Sequence, residues 1–218
     1  MALAPISAYV APMGLYDKYV LPRLIDVAGG TKEIAVDRIK CLAEVRGSVL
    51  EVGFGTGHNL PCYPSGVEKV VGVDPSGESG KLAKKRIARV SFPVKLVQLE
   101  GEQIAAPDAS FDSVVCTFSL CTIPDPSAAL RQMLRVLKPS GRFFFLEHGK
   151  AEDPQVQRWQ DRLNGIQKWI FGGCNVNRQI DHLITDAGFA IEKLDRYYGK
   201  AGPKFVSYLY CGTARRAS

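Results

Sequence analysis

A glycine-rich turn that follows an apolar strand is the feature that most constrains the fold of this chain. The strand is predicted over Ser48–Gly53 and runs directly into Gly53-Phe-Gly-Thr-Gly57. Because glycine has no Cβ, such a run allows a tight turn and a close approach of a ligand to the backbone. A second apolar strand is predicted over Lys69–Asp74. With the helical stretch that we expect between them, the two strands form a βαβ unit.

The alternation of strands and helices continues along the chain, which indicates a parallel sheet. The helices are predicted over Tyr16–Asp26, Thr31–Ala43, Ser79–Val90, Pro126–Leu137 and Gln179–Ala187, and the strands over Val94–Leu99, Ser113–Phe118 and Arg142–Glu147. A further helix carries Trp159, Leu163, Ile166 and Ile170 on one side. The last two strands, Phe189–Tyr198 and Phe205–Thr213, are separated by a turn too short for a helical crossover, so they pair antiparallel.

Composition narrows the class of protein. The chain has 218 residues, 46% of them hydrophobic and 23% charged, which fits one soluble domain. None of its six cysteines belongs to a CxxC pair. We therefore expect free thiols and a cytoplasmic protein. The opening segment Ala2–Tyr16 is interrupted by prolines, and we expect neither a signal peptide nor a membrane span there. The net charge of +6 is a mild excess that gives no reason to expect a nucleic-acid partner.

Acidic residues around the glycine turn indicate the charge of the ligand. A dinucleotide site would have G-x-G-x-x-G, whereas here the third glycine comes one residue early. Glu51 would repel a pyrophosphate and suits a positively charged ligand. Asp74, at the end of the next strand, can accept both hydroxyls of a ribose. The structural alternatives are a helix-capping role for Glu51 and an ordinary N-cap for Asp74.

From Val49 to the C-terminus the chain resembles the class I S-adenosylmethionine-dependent methyltransferases of the UbiE/methyltransferase-11 type. The resemblance implies an α/β, Rossmann-like, seven-stranded sheet of order 3-2-1-4-5-7-6 with strand 7 antiparallel. It also implies a single domain over residues 1–218, with a helical lid over 1–45 and a catalytic core over 46–218. S-adenosylmethionine is the implied cofactor, and the implied cofactor-binding residues are Tyr16, Glu51, Gly53, Gly55, Gly57, Asn59, Asp74, Pro75, Ser76, Glu102, Gln103, Thr117 and Phe118.

The second half is similar to the methyltransferase-like alkyl-thiol S-methyltransferases. Three segments carry this similarity, namely Val114–Cys121, Leu146–His148 and Phe171–Arg178. A small-molecule acceptor, a thiol or sulfide, is implied. Those relatives carry an apolar membrane anchor at the N-terminus, which we do not expect in this chain, so contact with a membrane surface is left open. The fourth strand does not end in the Asp/Asn-Pro-Pro-aromatic motif of enzymes that methylate planar amines.

Methyl transfer from a sulfonium ion needs an in-line approach and exclusion of water, with at most a weakly placed base. His148, at the end of an apolar strand, is the candidate base, and Glu147 would orient it or hold the substrate. Cys121, Asn175 and Arg178 are candidate substrate-binding residues. No metal site is expected, although convergence of Cys116, Cys121 and Cys174 would allow capture of a metal or metalloid by thiolates.

Other functions remain open at this point. The same fold could methylate a quinone precursor or a phospholipid head group, or could bind S-adenosylmethionine without turnover. A nicotinamide oxidoreductase is disfavoured by Glu51 and by the glycine spacing. The sequence leaves the identity of the acceptor and the oligomeric state open.

Overall fold

The computed structural model describes residues 14–217, and its centre is a seven-stranded sheet. The strands are β1 Gly47–Val52, β2 Val67–Val73, β3 Val94–Val97, β4 Phe111–Thr117, β5 Leu137–His148, β6 Phe189–Tyr198 and β7 Tyr208–Arg216. Their order is β3-β2-β1-β4-β5-β7-β6. Strand β7 runs antiparallel to both of its neighbours, and the other neighbouring strands are parallel. The predicted fold class, strand order and direction of strand 7 are therefore confirmed.

Helices lie between most of these strands. They are α1 Leu21–Gly29, α2 Lys32–Leu42, α3 Gly77–Ile87, α4 Pro126–Val136, α5 Pro154–Ile170, α6 Ile180–Asp186 and the single turn α7 Lys204–Ser207. Side chains at the helix N-termini explain several boundaries. Thr31, Ser76 and Asp125 each accept a hydrogen bond from a backbone N–H in the first turn of α2, α3 and α4. No helix within residues 14–217 is long and apolar enough to cross a membrane.

Two apolar layers enclose the sheet. The aromatic run Phe143–Phe145 on β5 is almost completely buried because successive side chains point to opposite faces and both faces are covered. Strand β1 lies between β2 and β4, with Glu51 opposite Gly72 on one side and Val115 on the other. The carboxyl ends of β1, β2 and β4 therefore meet at one edge, which is where ligands bind in open α/β sheets.

Three predictions of local structure were wrong or incomplete. The connection from β1 to β2 contains a three-residue 3-10 turn, Leu60–Cys62, where we expected a helical stretch, because Pro61, Pro64 and Gly66 disfavour a longer helix. The first predicted helix is divided into a π-helical turn, Tyr16–Val20, and α1. Residues 1–13 of the predicted lid lie outside the described residues.

The C-terminal third contains the third difference, the start of the last strand, and one feature on which no prediction was made, the exposure of α5. The apolar side of α5 is largely exposed, with Trp159 at 56% and Ile166 at 58% exposure. The helix instead buries Gln160, which hydrogen-bonds with the backbone of Gly149, Ala151 and Phe205. The last strand begins at Tyr208, since α7 occupies the residues before it.

Candidate active site

The glycine turn after β1 adopts backbone conformations that favour glycine. Gly53, Gly55 and Gly57 have φ of +74°, +55° and +81°. A Cβ on Gly53 would lie 1.8 Å from the hydroxyl oxygen of Ser119. The turn can therefore approach the loop after β4 only because position 53 has no side chain.

Asp74 ties the glycine turn to the end of β2. One carboxylate oxygen accepts a hydrogen bond from the N–H of Gly55 at 2.8 Å, and the other accepts one from the N–H of Ser76 at 2.9 Å. Burial raises the pKa of Asp74, and both backbone hydrogen bonds oppose that shift. The side chain is only partly buried, so the remaining lone pairs of its carboxylate can accept further hydrogen bonds from a ligand.

Glu51 is buried at the floor of the site. Its two oxygens accept hydrogen bonds from Asn59 Nδ2 at 2.9 Å and from the hydroxyl of Tyr63 at 2.7 Å. Burial raises the pKa of Glu51 to about 7, although Tyr63, the charge of Arg38 and Asn59 act in the opposite direction. This carboxyl group is therefore poised to ionise near neutral pH and to gain from a nearby cation.

Arg38 on α2 is a buried cation that the sequence analysis missed. Its Nη1 donates to Asn59 Oδ1 at 2.6 Å and to Thr117 Oγ1 at 2.7 Å, while its Nε is buried with no hydrogen-bond partner among the described residues. The signal was present in the sequence: Arg38 falls at helical spacing between Ile34 and the buried pair Cys41 and Leu42. A charge on the buried stripe of a helix indicates a specific partner.

The loop after β4 carries an unusual backbone. Phe118 has φ of +54°, a strained conformation for a bulky residue that is typical of functional sites. Its N–H donates to the carbonyl of Leu146 at 2.8 Å, and its ring lies 5.0 Å from the ring of His148 and 5.1 Å from the guanidinium of Arg38. Phe118 thus separates the buried arginine from the histidine.

These elements enclose one cavity. It is lined by the glycine turn, by the loop after β4, by residues of α1 and α2 and by His148 at the end of β5, with Phe171 and Cys174 from the loop after α5 closing the other side. Residues of α1 and α2 therefore lie at the carboxyl edge of the sheet, and their role as a lid stays a prediction. Most of the lining is apolar, and its ionisable members outside the cysteines are Arg38, Glu51, His58 and His148.

Asp26 holds the lid against the glycine turn. Its Oδ1 accepts hydrogen bonds from Thr56 Oγ1 at 2.6 Å and from Arg86 Nη1 at 2.9 Å, and it lies 3.0 Å from His58 Nε2. Burial alone would raise the pKa of Asp26, but the contacts with Thr56, Arg86 and His58 outweigh it and lower the pKa. Asp26 thereby connects α1 to both the glycine turn and α3.

Two cysteines and a histidine meet at the acceptor side of the cavity. The sulfurs of Cys121 and Cys174 are 3.5 Å apart, and these atoms and a ring nitrogen of His148 all lie within 4.8 Å of one another. The contact between the two thiols lowers the pKa of Cys174, and the same contact together with burial raises the pKa of Cys121. Burial disfavours the charged imidazole, yet Cys121 and Glu147 outweigh it and raise the pKa of His148.

Glu147 holds the backbone of the loop after β4. It is fully buried, and its oxygens accept hydrogen bonds from the N–H groups of Ser119 at 2.8 Å, Leu120 at 3.0 Å and Cys121 at 3.4 Å. Burial raises its pKa, and these backbone contacts oppose the shift. Glu147 therefore fixes the backbone that presents Cys121 and Phe118.

Comparison with known proteins decides the family. Residues 50–145 match the family described as "Methyltransferase domain". The chain is 38% identical to human thiol S-methyltransferase TMT1A over 152 residues, which are 67% of this chain and 62% of that protein. It is 36% identical to mouse thiol S-methyltransferase TMT1B over 166 residues, 72% of this chain and 67% of that protein.

The chain belongs to the class I S-adenosylmethionine-dependent methyltransferases. A solved methyltransferase from Aquifex aeolicus has the same fold, with a TM-score of 0.65 at 18% identity over 90% of this chain and 98% of that one. The [4+2]-cyclase SpnF matches with a TM-score of 0.64 at 20% identity, over 90% of this chain and 80% of that one. Because a cyclase shares the architecture, these structural matches establish the fold alone.

S-adenosylmethionine is the cofactor of this methyltransferase, and the residues present fit it. Gly53 and Gly55 line the cavity beside the carboxyl group of Glu51, and a Cβ on Gly55 would have only the carbonyl oxygen of Gly53 within 4 Å, so the backbone of the turn is open to a ligand there. Glu102, in the loop after β3, has a buried oxygen with no hydrogen-bond partner among residues 14–217, while its other oxygen accepts from the N–H of Asp125. That orphaned acceptor suits an N–H donor such as an exocyclic amine.

Some of the predicted cofactor-binding residues line the cavity, and others lie outside its lining. Glu51, Gly53, Gly55, Thr117 and Phe118 line the cavity. Asn59 lies below, holding Glu51 and Thr117. Pro75 and Ser76 follow Asp74 at the start of α3, Gly57 closes the turn, and Gln103 is exposed beside Glu102. Their roles toward the cofactor stay predictions.

Three of the predicted cofactor- or substrate-binding residues donate hydrogen bonds to backbone carbonyls of the protein itself. Tyr16 donates to the carbonyl of Ile170 at 2.6 Å and stacks on Trp169, so it joins the lid to α5. Asn175 donates to the carbonyl of Cys121 at 3.0 Å. Arg178 donates to the carbonyls of Leu120 and Ile123. Asn175 and Arg178 therefore brace the loop that carries Cys121, and their proposed contacts with substrate stay untested.

Proposed function

We propose that this methyltransferase transfers the methyl group of S-adenosylmethionine to a small thiol or sulfide. The observation that carries the proposal is that His148 and the glycine turn line one mainly apolar cavity. The two thiol S-methyltransferases named above, at 36–38% identity, support the same acceptor class. The matched part of the chain covers only 62% of the human relative. The acceptor class is therefore argued from the residues of the cavity as well as from the similarity of sequence.

The donor would be held by charges of opposite sign. Glu51 would bind the ammonium group of its amino-acid part, and Asp74 would accept hydrogen bonds from the ribose hydroxyls. Glu102 is assigned to the adenine amine because its buried oxygen has no partner within residues 14–217. Arg38, whose Nε is similarly unpartnered, is the residue available for the donor carboxylate.

When bound, S-adenosylmethionine supplies a methyl group on a positively charged sulfur, which any well-placed thiolate can attack. His148 would accept the proton of the acceptor thiol, and its raised pKa favours holding that proton. A thiol with a pKa of ~8.5 is ionised to a few per cent at pH 7, so complete ionisation increases the thiolate about thirtyfold. Glu147 would act as a positioning residue through the loop backbone that it holds.

A methyl-transfer screen tests the acceptor class. Labelled S-adenosylmethionine is offered with thiols, amines, phenols and lipids, and both methylated product and S-adenosylhomocysteine are measured. We expect transfer to thiols. Donor binding without transfer to any acceptor would instead support a non-catalytic protein.

A second candidate, methylation of a phospholipid head group or a quinone precursor at a membrane surface, is favoured by one observation. Helix α5 exposes Trp169 at 81%, Ile166 at 58% and Trp159 at 56%, and Trp at an interface is typical of membrane contact. Transfer to lipid or phenol, together with binding to liposomes, would favour this candidate over the thiol.

A further inference from the structure

The cluster of Cys121, Cys174 and His148 is assembled from three distant segments. Cys121 lies in the loop after β4, His148 ends β5, and Cys174 lies in the loop between α5 and α6. The N–H and the side-chain amide of Asn175 both bind the carbonyl of Cys121, at 2.8 Å and 3.0 Å. The backbones that carry the two cysteines are therefore fastened to each other.

The distance between the two sulfurs is close to that in a tetrahedral metal site. Zinc binds cysteine sulfur at ~2.3 Å and histidine nitrogen at ~2.0 Å, which places two ligated sulfurs ~3.8 Å apart. The sulfurs of Cys121 and Cys174 are 3.5 Å apart, and the imidazole nitrogen lies within 4.8 Å of both. A ligated sulfur and nitrogen would lie ~3.5 Å apart. The two sulfurs are therefore already close to ligand positions, and the imidazole of His148 would have to move toward them by up to ~1.3 Å.

The burial of the three groups differs in a way that suits a site with one open position. Cys121 and Cys174 are 1% and 5% exposed, whereas His148 is partly exposed, and all three line the same cavity as the glycine turn. Packing of two cysteines as small apolar groups does not require a ring nitrogen of His148 within 4.8 Å of both sulfurs. Catalytic zinc sites have three protein ligands and an open fourth position, and Cys₂His is one of their ligand sets.

We propose that Cys121, Cys174 and His148 bind one thiophilic divalent cation of the zinc type, whose fourth position faces the donor cavity and takes the acceptor thiol. The part concerning the acceptor rests on the proposed function. The acceptor R–SH binds the metal as a thiolate and releases its proton to solvent. Its sulfur then forms a bond to the methyl carbon, the bond from that carbon to the donor sulfur breaks, and the electron pair stays on that sulfur. In the metal-bound enzyme His148 would be a metal ligand and would not accept the proton of the thiol. The metal would ionise the thiol in its place.

The experiment is zinc binding by the metal-free, reduced full-length protein, in a non-thiol reductant. Zn²⁺ alone is the probe, and zinc per chain is measured after dialysis against buffered free zinc. The wild type is expected to bind one equivalent, and Cys121→Ser and Cys174→Ser to bind at least about 100-fold more weakly. Cys62→Ser, a half-buried cysteine outside the cluster, is the matched control and should keep wild-type affinity. Titration with S-adenosylhomocysteine shows whether each variant is folded.

Cobalt substitution gives a second readout. Co²⁺ bound by the cluster should produce a thiolate-to-cobalt absorption band, and adding a small thiol should change its intensity and position. Equal zinc binding by wild type and the folded Cys121→Ser and Cys174→Ser proteins would overturn the metal site. Full thiol methylation by the metal-free enzyme would overturn its catalytic part and leave the proposed function standing. One bound zinc without transfer to any thiol would support the metal site while the proposed function fails.

Discussion

Donor binding should depend on the ionisation of Glu51. In the free protein burial raises the pKa of Glu51 to about 7, and only the carboxylate attracts an ammonium group. The ionised fraction rises from about a tenth at pH 6 to about nine tenths at pH 8. We therefore expect S-adenosylhomocysteine to bind about tenfold more tightly at pH 8 than at pH 6, and to displace protons from Glu51 near neutral pH.

Isothermal titration calorimetry measures both quantities. Titrations from pH 6 to 8, in buffers of different ionisation enthalpy, give the affinity and the number of protons released. In Glu51→Gln the pH dependence should disappear, and at pH 8 the affinity should fall about 10- to 100-fold, the effect of losing one charged hydrogen bond. In Tyr63→Phe the midpoint should move to higher pH, because the Tyr63 hydroxyl lowers the pKa of Glu51.

The same shift has a consequence for the unliganded protein. Because the pKa of Glu51 is higher in the folded than in the unfolded chain, the folded state binds more protons between pH 4.5 and 7. This group therefore makes the free energy of unfolding fall as pH rises through that range. A flat affinity profile in the wild type, or an unchanged profile in Glu51→Gln, would refute the assignment of Glu51 to the donor.

The remaining predictions concern the other parts of the site. Asp74→Ala should weaken S-adenosylhomocysteine about 10- to 100-fold by calorimetry, and an unchanged affinity would contradict a contact with the ribose. Gly53→Ala should lower the free energy of unfolding by ~1–3 kcal/mol in urea titrations. Gly66→Ala is the control and should leave it unchanged, because its Cβ would lie 3.5 Å from the nearest atom, Cβ of Arg46. His148→Gln should slow thiol methylation up to about thirtyfold at pH 7 with unchanged donor affinity, and the gap should close above pH 9; a constant gap would exclude a role in ionisation. Asp26→Asn should speed hydrogen exchange in α1, and equal exchange would show that the contact with Arg86 does not hold the lid.

Most strands and helices could be predicted because their signals were local, whereas the order of the strands in the sheet was implied by the family resemblance. Apolar strands that end in Gly53 or Asp74, and a helix bounded by Pro126 at its first turn, are patterns within a few residues of one another. The connection from β1 to β2 was harder, since helical spacing alone does not show that Pro61 and Pro64 reduce it to a short turn. The spacing placed Trp159, Leu163, Ile166 and Ile170 on one side of a helix, but such a pattern cannot tell whether a partner covers that side.

The site was predictable only where a motif carried it. The glycine turn, Asp74 and His148 stand at strand ends, where parallel sheets place their ligands. Arg38 is far from every motif, and its role depends on contacts with Asn59 and Thr117 that only the folded chain creates. Likewise the hydrogen bonds of Arg178 to backbone carbonyls were not readable from its charge. Convergence of Cys121 and Cys174 with His148, rather than with Cys116, depends on how the loop after α5 folds back.

The most direct test of the account is one measurement of the transferred group. The enzyme is incubated with S-adenosylmethionine carrying a trideuterated methyl group and with ethanethiol or, separately, ethanol, and the products are identified by mass spectrometry. The account predicts trideuteromethyl ethyl thioether in equal amount to S-adenosylhomocysteine, and no ether from ethanol. Formation of S-adenosylhomocysteine only with an amine, phenol or lipid acceptor, and none with any thiol, would contradict it.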